Sequence, residues 1–234
     1  MAMMEQRDQK KGYSSLFVVI SCLFVTTLIA SNIVAVKLVS LFGLILPAAI
    51  VIFPISYIIG DVLTEVYGYG SARKVIWLGF SCNLLVVAIF WIGKLLPSAP
   101  FWGAQEAYSQ ILGYTPRLLV ASFVAYLVGE FSNSFVLAKM KIATKGRWLW
   151  ARTIGSTLIG EGLDSLIFIS LAFYGAIPTQ ALGATILTQW LIKCAYEAAA
   201  TPLTYLVVRF LKRKEGLDVY DYGTRFSPLI LTKG

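Results

Sequence analysis

The sequence predicts an all-α polytopic membrane protein, and three observations predict it. Hydrophobic residues make up 58% of the 234 positions and charged residues only 14%, against about 45–50% and about 25% in ordinary globular domains. Charge-free runs are long: 12–36, 38–60, 75–93 and 165–192 contain no Asp, Glu, Lys or Arg. A spanning helix needs about 20 mostly apolar residues, so each run can hold one. The net charge of +8 comes from basic residues gathered at predicted span ends, where the positive-inside rule places them. They do not form the single patch that a nucleic acid would require, and none is expected as a partner.

Six spans are expected in order, at roughly 16–36, 44–64, 75–95, 117–138, 153–174 and 181–210. The first follows a polar, basic stretch. That stretch is read as a retained N-terminus, because no small-residue cleavage site follows its apolar run, which is too long for a signal peptide. The second ends in Asp61 and Glu65, a Gly/Tyr-rich turn, and the basic pair Arg73 and Lys74. Pro97 and Pro100 close the third, and Gly175 and Pro178 close the fifth. The sixth is longer than a bilayer requires and carries Pro202, so tilt or a kink is expected there.

One membrane domain follows, with 1–14 as a cytoplasmic tail, 15–211 as the six-helix bundle and 212–234 as a second cytoplasmic tail. An even number of spans puts both termini on one side. The cytoplasmic choice gathers Arg7, Lys10, Lys11, Arg73, Lys74, Lys139, Lys141, Lys145, Arg147, Arg152, Arg209 and Lys212–Lys214 there, with only Lys37, Lys94 and Arg117 outside.

A short internal likeness supports two halves. Ile59–Glu65 resembles Ile159–Ser165, and Ser31-Asn32 in the first span has a counterpart in Ser132-Asn133 of the fourth. Two halves of three spans must lie in opposite orientation, the inverted-repeat plan of many secondary transporters.

No histidine is present, which excludes His-based metal sites and His general bases. Cys22, Cys82 and Cys194 lie apart in apolar segments, without disulfide or metal-ligand spacing. Neither metal nor cofactor is expected. An intramembrane hydrolase would need more than Glu161 and Asp164, and no Gly-x-Gly-Asp pattern surrounds Asp164. A cation channel would need a repeated filter element, which the sequence does not contain.

The informative residues are ionisable groups at depth. Glu130 lies about 13 residues into the fourth span; Glu161 and Asp164 sit in the middle of the fifth, and Lys193 and Glu197 in the sixth. A charge at the bilayer centre costs at least about 2.5–3.5 kcal/mol, so these side chains are expected to face the bundle interior. Helical spacing gathers them into stripes. Tyr126, Glu130 and Asn133 form one, Thr157, Glu161 and Ser165 another, and Gln189, Lys193, Glu197 and Thr201 a third. Thr27, Ser31 and Asn32 of the first span and Asn83 of the third extend the set, so five spans are expected to converge. Around one lysine the excess carboxylates need a ligand, protons or cations. Trp190, beside the sixth-span stripe, offers a ring to stack on.

Asp61 and Glu65 stand one turn apart, near the end of the second span. They are expected to lock with Arg73 and Lys74 across the short following loop, as a gate.

The segment FPISYIIGDVLTEVYGYGSARK (53–74), the six-span body and the tail Asp218-Val-Tyr-Asp-Tyr-Gly-Thr-Arg-Phe-Ser-Pro228 together resemble the queuosine precursor transporter family, earlier grouped with vitamin uptake transporters. Pro54, Tyr57, Asp61, Glu65, Gly68 and Arg73 match its signature as they stand, and Asn32, Asp164 and Lys193 occupy expected polar positions. The resemblance implies import of 7-deazaguanine bases, the 7-cyano or 7-aminomethyl precursors or queuine, across a bacterial inner membrane for tRNA modification. Such a base presents two adjacent donors to a carboxylate, a carbonyl to a donor such as Lys193, Asn or Gln, and a flat face to an aromatic ring. The alternative is a substrate-binding subunit that works with a separate ATPase. Homodimerisation through the small-residue face of the fifth span is compatible with either.

Overall fold

The computed structural model describes residues 13–41, 44–113, 116–176 and 178–230; Arg7, Lys10 and Lys11, assigned above to the first tail, lie outside them. Helix α1 (Ser15–Val34) is capped by the Ser14 hydroxyl, which accepts from the Phe17 amide. Two short strands follow, β1 (Leu38–Leu41) and β2 (Leu44–Pro47), paired antiparallel from Leu38↔Pro47 to Leu41↔Leu44. A 3₁₀ turn (Ala48–Val51) leads into α2 (Phe53–Tyr67), with Pro54 in its first turn. Then come α3 (Tyr69–Leu95), the short α4 (Gln105–Leu112), α5 (Pro116–Ala143), α6 (Leu149–Phe173) and α7 (Thr179–Glu215), which runs straight through Pro202 as helix.

The second expected span is corrected at its start. Residues 44–47 are strand, so helix begins at 48 as a 3₁₀ turn and at 53 as α2. An unbroken apolar run cannot by itself tell strand from helix. Pro47 decides it, because it lacks an amide donor and biases the residue before it toward extended backbone.

Among the described residues, five segments are long and apolar enough to cross a membrane: Ser15–Val34, Ala48–Tyr67, Tyr69–Leu95, Gln105–Ala143 and Leu149–Phe173. Helix α7, at 37 residues, has the length. Its stripe of Gln189, Lys193 and Glu197 and its basic last turn dilute its apolar content.

The bundle is apolar outside and polar within. On α6, Leu158, Ile159 and Leu166 are exposed, while Thr157, Glu161, Asp164 and Ser165 are buried. Lipid accepts the first set at no cost and would reject the second, so this inversion suits a bilayer as solvent. Helix α2 is the most enclosed element, packed by α1, α3, α5 and α7.

Helices α5 and α6 approach most closely at two glycines. A Cβ on Gly160 would lie 2.6 Å from Asn133 Cβ and 2.9 Å from the Gly129 carbonyl oxygen, and one on Gly129 would lie 2.9 Å from Asp164 Cβ. Small residues therefore let the backbones meet. The face of α6 around Gly160 is thus occupied by α5 within the chain.

At one end of the bundle α1 begins, α7 ends and residues 218–228 lie across the junction of α2 and α3; this is the tail end. The Val219 amide bonds the Val66 carbonyl at 3.4 Å, and Asp221 accepts from the Tyr69 amide at 3.0 Å. Gly68 turns this corner with φ +81°, and a Cβ there would meet Val219 Cγ1 at 2.7 Å. Only glycine satisfies both demands. At the opposite end, Arg117 donates to the Leu171 carbonyl at 2.7 Å and to that of Tyr174, capping the end of α6.

Candidate substrate site in the bundle interior

Four helices bring their polar stripes to one place. The Lys193 ammonium on α7 lies 2.6 Å from Glu161 Oε2 and 2.5 Å from Asp164 Oδ2, both on α6. Both carboxylates and the lysine are buried. Helix α2 covers the ammonium with rings: Nζ stands 4.7 Å from the Phe53 centroid and 6.0 Å from that of Tyr57. Two of the three ammonium protons serve carboxylates, and the ring face attracts what positive charge remains.

Helix α5 supplies the adjoining wall. Glu130 is fully buried against Gly60 of α2, where a Cβ would come within 3.1 Å of Oε2. One turn on, the Asn133 amide donates to Asp61 Oδ1 at 2.6 Å. A Cβ on Gly129 would lie 2.9 Å from the Tyr57 hydroxyl, so Tyr57, Asp164 and the backbone beside Glu130 converge within one layer.

What distinguishes this interior is an excess of acceptors. Among the described residues, both oxygens of Glu130 and both of Glu197, Asp61 Oδ2, Asn133 Oδ1 and Gln189 Oε1 have no hydrogen-bond partner, and neither do the hydroxyls of Tyr57, Thr157 and Ser165, which can donate as well as accept. Buried polar groups are normally paired, and leaving one unpaired costs about 1–3 kcal/mol, more when charged. Such a set is matched by something rich in donors.

Several expectations are redistributed. Trp190 does not face Lys193; its Nε1 donates to the Leu158 carbonyl at 3.0 Å, with its ring against Gly162. The ring that lies closest to Lys193 is Phe53, four residues before Tyr57 and so on the same helix face; that i, i+4 spacing was the available signal. Tyr126 donates to the Ile76 carbonyl of α3 at 3.0 Å. Thr27 and Ser31 bond back to their own helix, at 2.8 Å and 2.6 Å. Asn32 is half-buried in the last turn of α1. The interior is therefore built by α2, α5, α6 and α7, and neither Thr27 and Ser31 of α1 nor Tyr126 adds a free polar group to it.

The lock expected between Asp61 or Glu65 and Arg73 or Lys74 does not form. Glu65 Oε1 instead meets Lys212 at 2.6 Å, Arg152 at 3.0 Å and Lys141 at 3.6 Å. Lys141 also holds Asp218 at 2.6 Å and the Glu65 and Val219 carbonyls at 2.6 and 2.7 Å, and Lys212 reaches Asp218 at 2.8 Å. Arg73 points to the tail and donates to the carbonyls of Arg225 and Ser227 at 2.9 and 2.7 Å. The reason is direction: Arg73 and Glu65 lie on separate helices joined by the sharp Gly68 corner, and Arg73 leaves that corner toward the tail. Extending the α7 stripe by helical steps from Lys193 through Glu197, Thr201, Thr204 and Val208 would have reached Lys212.

Residues 47–207, most of the chain, match the family described as "Putative vitamin uptake transporter". The chain belongs to the vitamin uptake transporter family. As a vitamin uptake transporter it is a multi-pass membrane transport protein, not an enzyme. It is 30% identical over 206 residues, 88% of this chain and 89% of the relative, to the "Probable queuosine precursor transporter" of Bacillus subtilis (strain 168). It is 25% identical over 171 residues, 71% of this chain and 72% of the relative, to the "Queuosine precursor transporter" of Escherichia coli (strain K12). These relatives agree with the resemblance carried by residues 53–74 and 218–228. No solved structure matches the chain.

Proposed function

We propose that this vitamin uptake transporter imports queuosine precursors, 7-deazaguanine bases, across the bacterial inner membrane by alternating access between its two three-helix halves, with both termini cytoplasmic. The names of its relatives support the substrate class. The observation that carries the reading is Lys193, held between Glu161 and Asp164 beneath Phe53 and Tyr57, beside carboxylates with no partner among the described residues.

The chemistry is complementary. The base carbonyl accepts from Lys193. Its ring N–H and exocyclic amine donate side by side to one carboxylate, with Glu130 and Glu197 as the groups still free to accept. A charge-assisted pair of this kind is about twice as strong as a neutral one. Tyr57 and Phe53 stack on the flat face. Asn32, Asn133 and Gln189 line the approach, and Trp190 braces α6 against α7. Asp61 and Glu65, on the helix that carries Tyr57, couple the occupied site to closure of the tail end.

Labelled 7-cyano- and 7-aminomethyl-7-deazaguanine, offered to liposomes containing only this protein, test the proposal. Saturable uptake is expected, lost in Asp164→Asn, which keeps the Lys193–Glu161 pair. Asp61→Asn should impair transport more than binding. Binding without uptake would instead assign the chain as the substrate-binding subunit of an ATPase-driven assembly. Absence of binding to either base would overturn the substrate assignment.

A further inference from the structure

A second polar recess opens at the tail end, between the start of α6 and the end of α7. It encloses about 610 Å³ and is lined by Glu65, Leu149, Arg152, Tyr205, Val208, Arg209, Lys212 and Arg213 among others. Four cations thus surround one carboxylate. Arg152 is only 1% exposed, and its Nε has no partner among the described residues. Arg209 and Arg213, exposed at the rim, enter no ion pair among the described residues.

An adjoining groove of about 360 Å³ continues along the outside of α7, where Leu206 and Phe210 stand between Arg209 and Arg213. Leu203, Leu206 and Phe210 are exposed apolar side chains on this face. Trp148 and Trp150, also exposed, mark the level at which the recess lies, because indole rings settle at the boundary between hydrocarbon and headgroup. The recess therefore offers positive charge at headgroup depth, and the apolar groove begins where an acyl chain would descend.

We infer that the recess between α6 and α7 is a binding site for an anionic phospholipid, its phosphate held by Arg209 and Arg213 at the rim above the buried charge of Arg152, and its acyl chain laid along Leu203, Leu206 and Phe210. A free phosphate would use the cations but leave the apolar groove unused. A zwitterionic lipid would use the groove but bring its own cation against the arginines. Anionic lipid alone satisfies both halves, and basic pockets between helices are a recurrent means of retaining it. The site is separate from the interior and does not depend on which base is carried.

Native mass spectrometry of the detergent-solubilised full chain tests this, titrated with dioleoylphosphatidylglycerol, dioleoylphosphatidylcholine or soluble glycerophosphoglycerol. One tightly retained phosphatidylglycerol is expected, with weak phosphatidylcholine binding and no displacement by the soluble headgroup. Arg209→Ala with Arg213→Ala should weaken retention about thirtyfold, each arginine near a phosphate being worth roughly a factor of five. Lys145→Ala with Arg147→Ala removes equal charge from the same end but outside the recess, and should change retention by less than about twofold. Equal loss in the two double variants would reduce the effect to general surface charge and overturn the site. Displacement by glycerophosphoglycerol at matched concentration would overturn its identity as a lipid site.

Discussion

Two regions of this bundle are built on opposite plans around a minority charge. In the interior, Lys193 is the one cation among Asp61, Glu130, Glu161, Asp164 and Glu197. At the tail end, Glu65 and Asp218 sit among Lys141, Arg152 and Lys212. The tail-end network is more nearly closed, with each charge facing at least one opposite partner and backbone carbonyls taking further lysine protons, while Glu65 Oε2 and Arg152 Nε are left over among the described residues. The interior is open, since its acceptors outnumber the donors the chain provides. A region that satisfies itself holds a shape, whereas one that leaves acceptors over holds a shape and a demand. That contrast is why the interior reads as the substrate site and the tail end as a closure.

The comparison is best broken by removing each minority charge. Lys193→Met leaves Glu161 and Asp164 facing each other without a cation, and losing one partner of a buried pair typically costs about 3–5 kcal/mol. Thermal unfolding in detergent should show a loss of that size. Adding Glu161→Gln and Asp164→Asn should restore most of the stability but none of the base binding. If the triple variant binds as the wild type does, the ammonium is structural only.

Glu65→Gln should cost less, about 2–3 kcal/mol by the same unfolding measurement. One of its three cations, Lys212, lies nearer water at 24% exposed, and Asp218 remains to receive Lys141 and Lys212, so that only the buried Arg152 is left without an acidic partner among the described residues. A loss larger than that of Lys193→Met would reverse the contrast drawn between a closed and an open network.

Gly160→Ala probes the geometry that both regions share. The new methyl would arrive 2.6 Å from Asn133 Cβ, and α5 must move to admit it. Overpacking of this kind costs about 1–3 kcal/mol. Because Asn133 carries the link to Asp61, base affinity should fall with stability.

Much of this was legible in the sequence, for physical reasons that also explain what was not. Charge-free runs report removal from water, so the all-α membrane class and the depth of Glu130, Glu161, Asp164 and Lys193 followed from hydropathy and helical period. The same runs cannot distinguish strand from helix, and residues 44–47, expected as the start of a span, are strand. Partners distant in sequence were harder. Glu65 was paired with its neighbour Arg73, but the chain turns at Gly68 and brings Lys212, 147 positions away, instead. Trp190 lies beside the α7 stripe in sequence, but Phe53 faces Lys193 from another helix.

The smallest effect expected is at Asp218, where the tail meets the closed network. Burial alone would raise this carboxyl, but hydrogen bonds from Lys141 and Lys212 outweigh it and hold it below the ordinary carboxylate value of 3.8. A depressed folded value means that the group stabilises docking above the ordinary value, and that this contribution fades as pH falls through the depressed one. Docking of residues 218–228 should therefore be intact at neutral pH and weaken below about pH 4. Asp218→Asn should remove that acid-dependent part while raising tail opening at pH 7 about two- to fivefold, the scale of a partly exposed pair. Hydrogen exchange of residues 218–228, corrected for intrinsic rates, measures both. Because Arg73, Tyr69 and Trp77 bind the tail independently of Asp218, complete release in the single variant would mean that the two lysines hold the tail alone, and that the closure at Glu65 and the docking of the tail are one event rather than two.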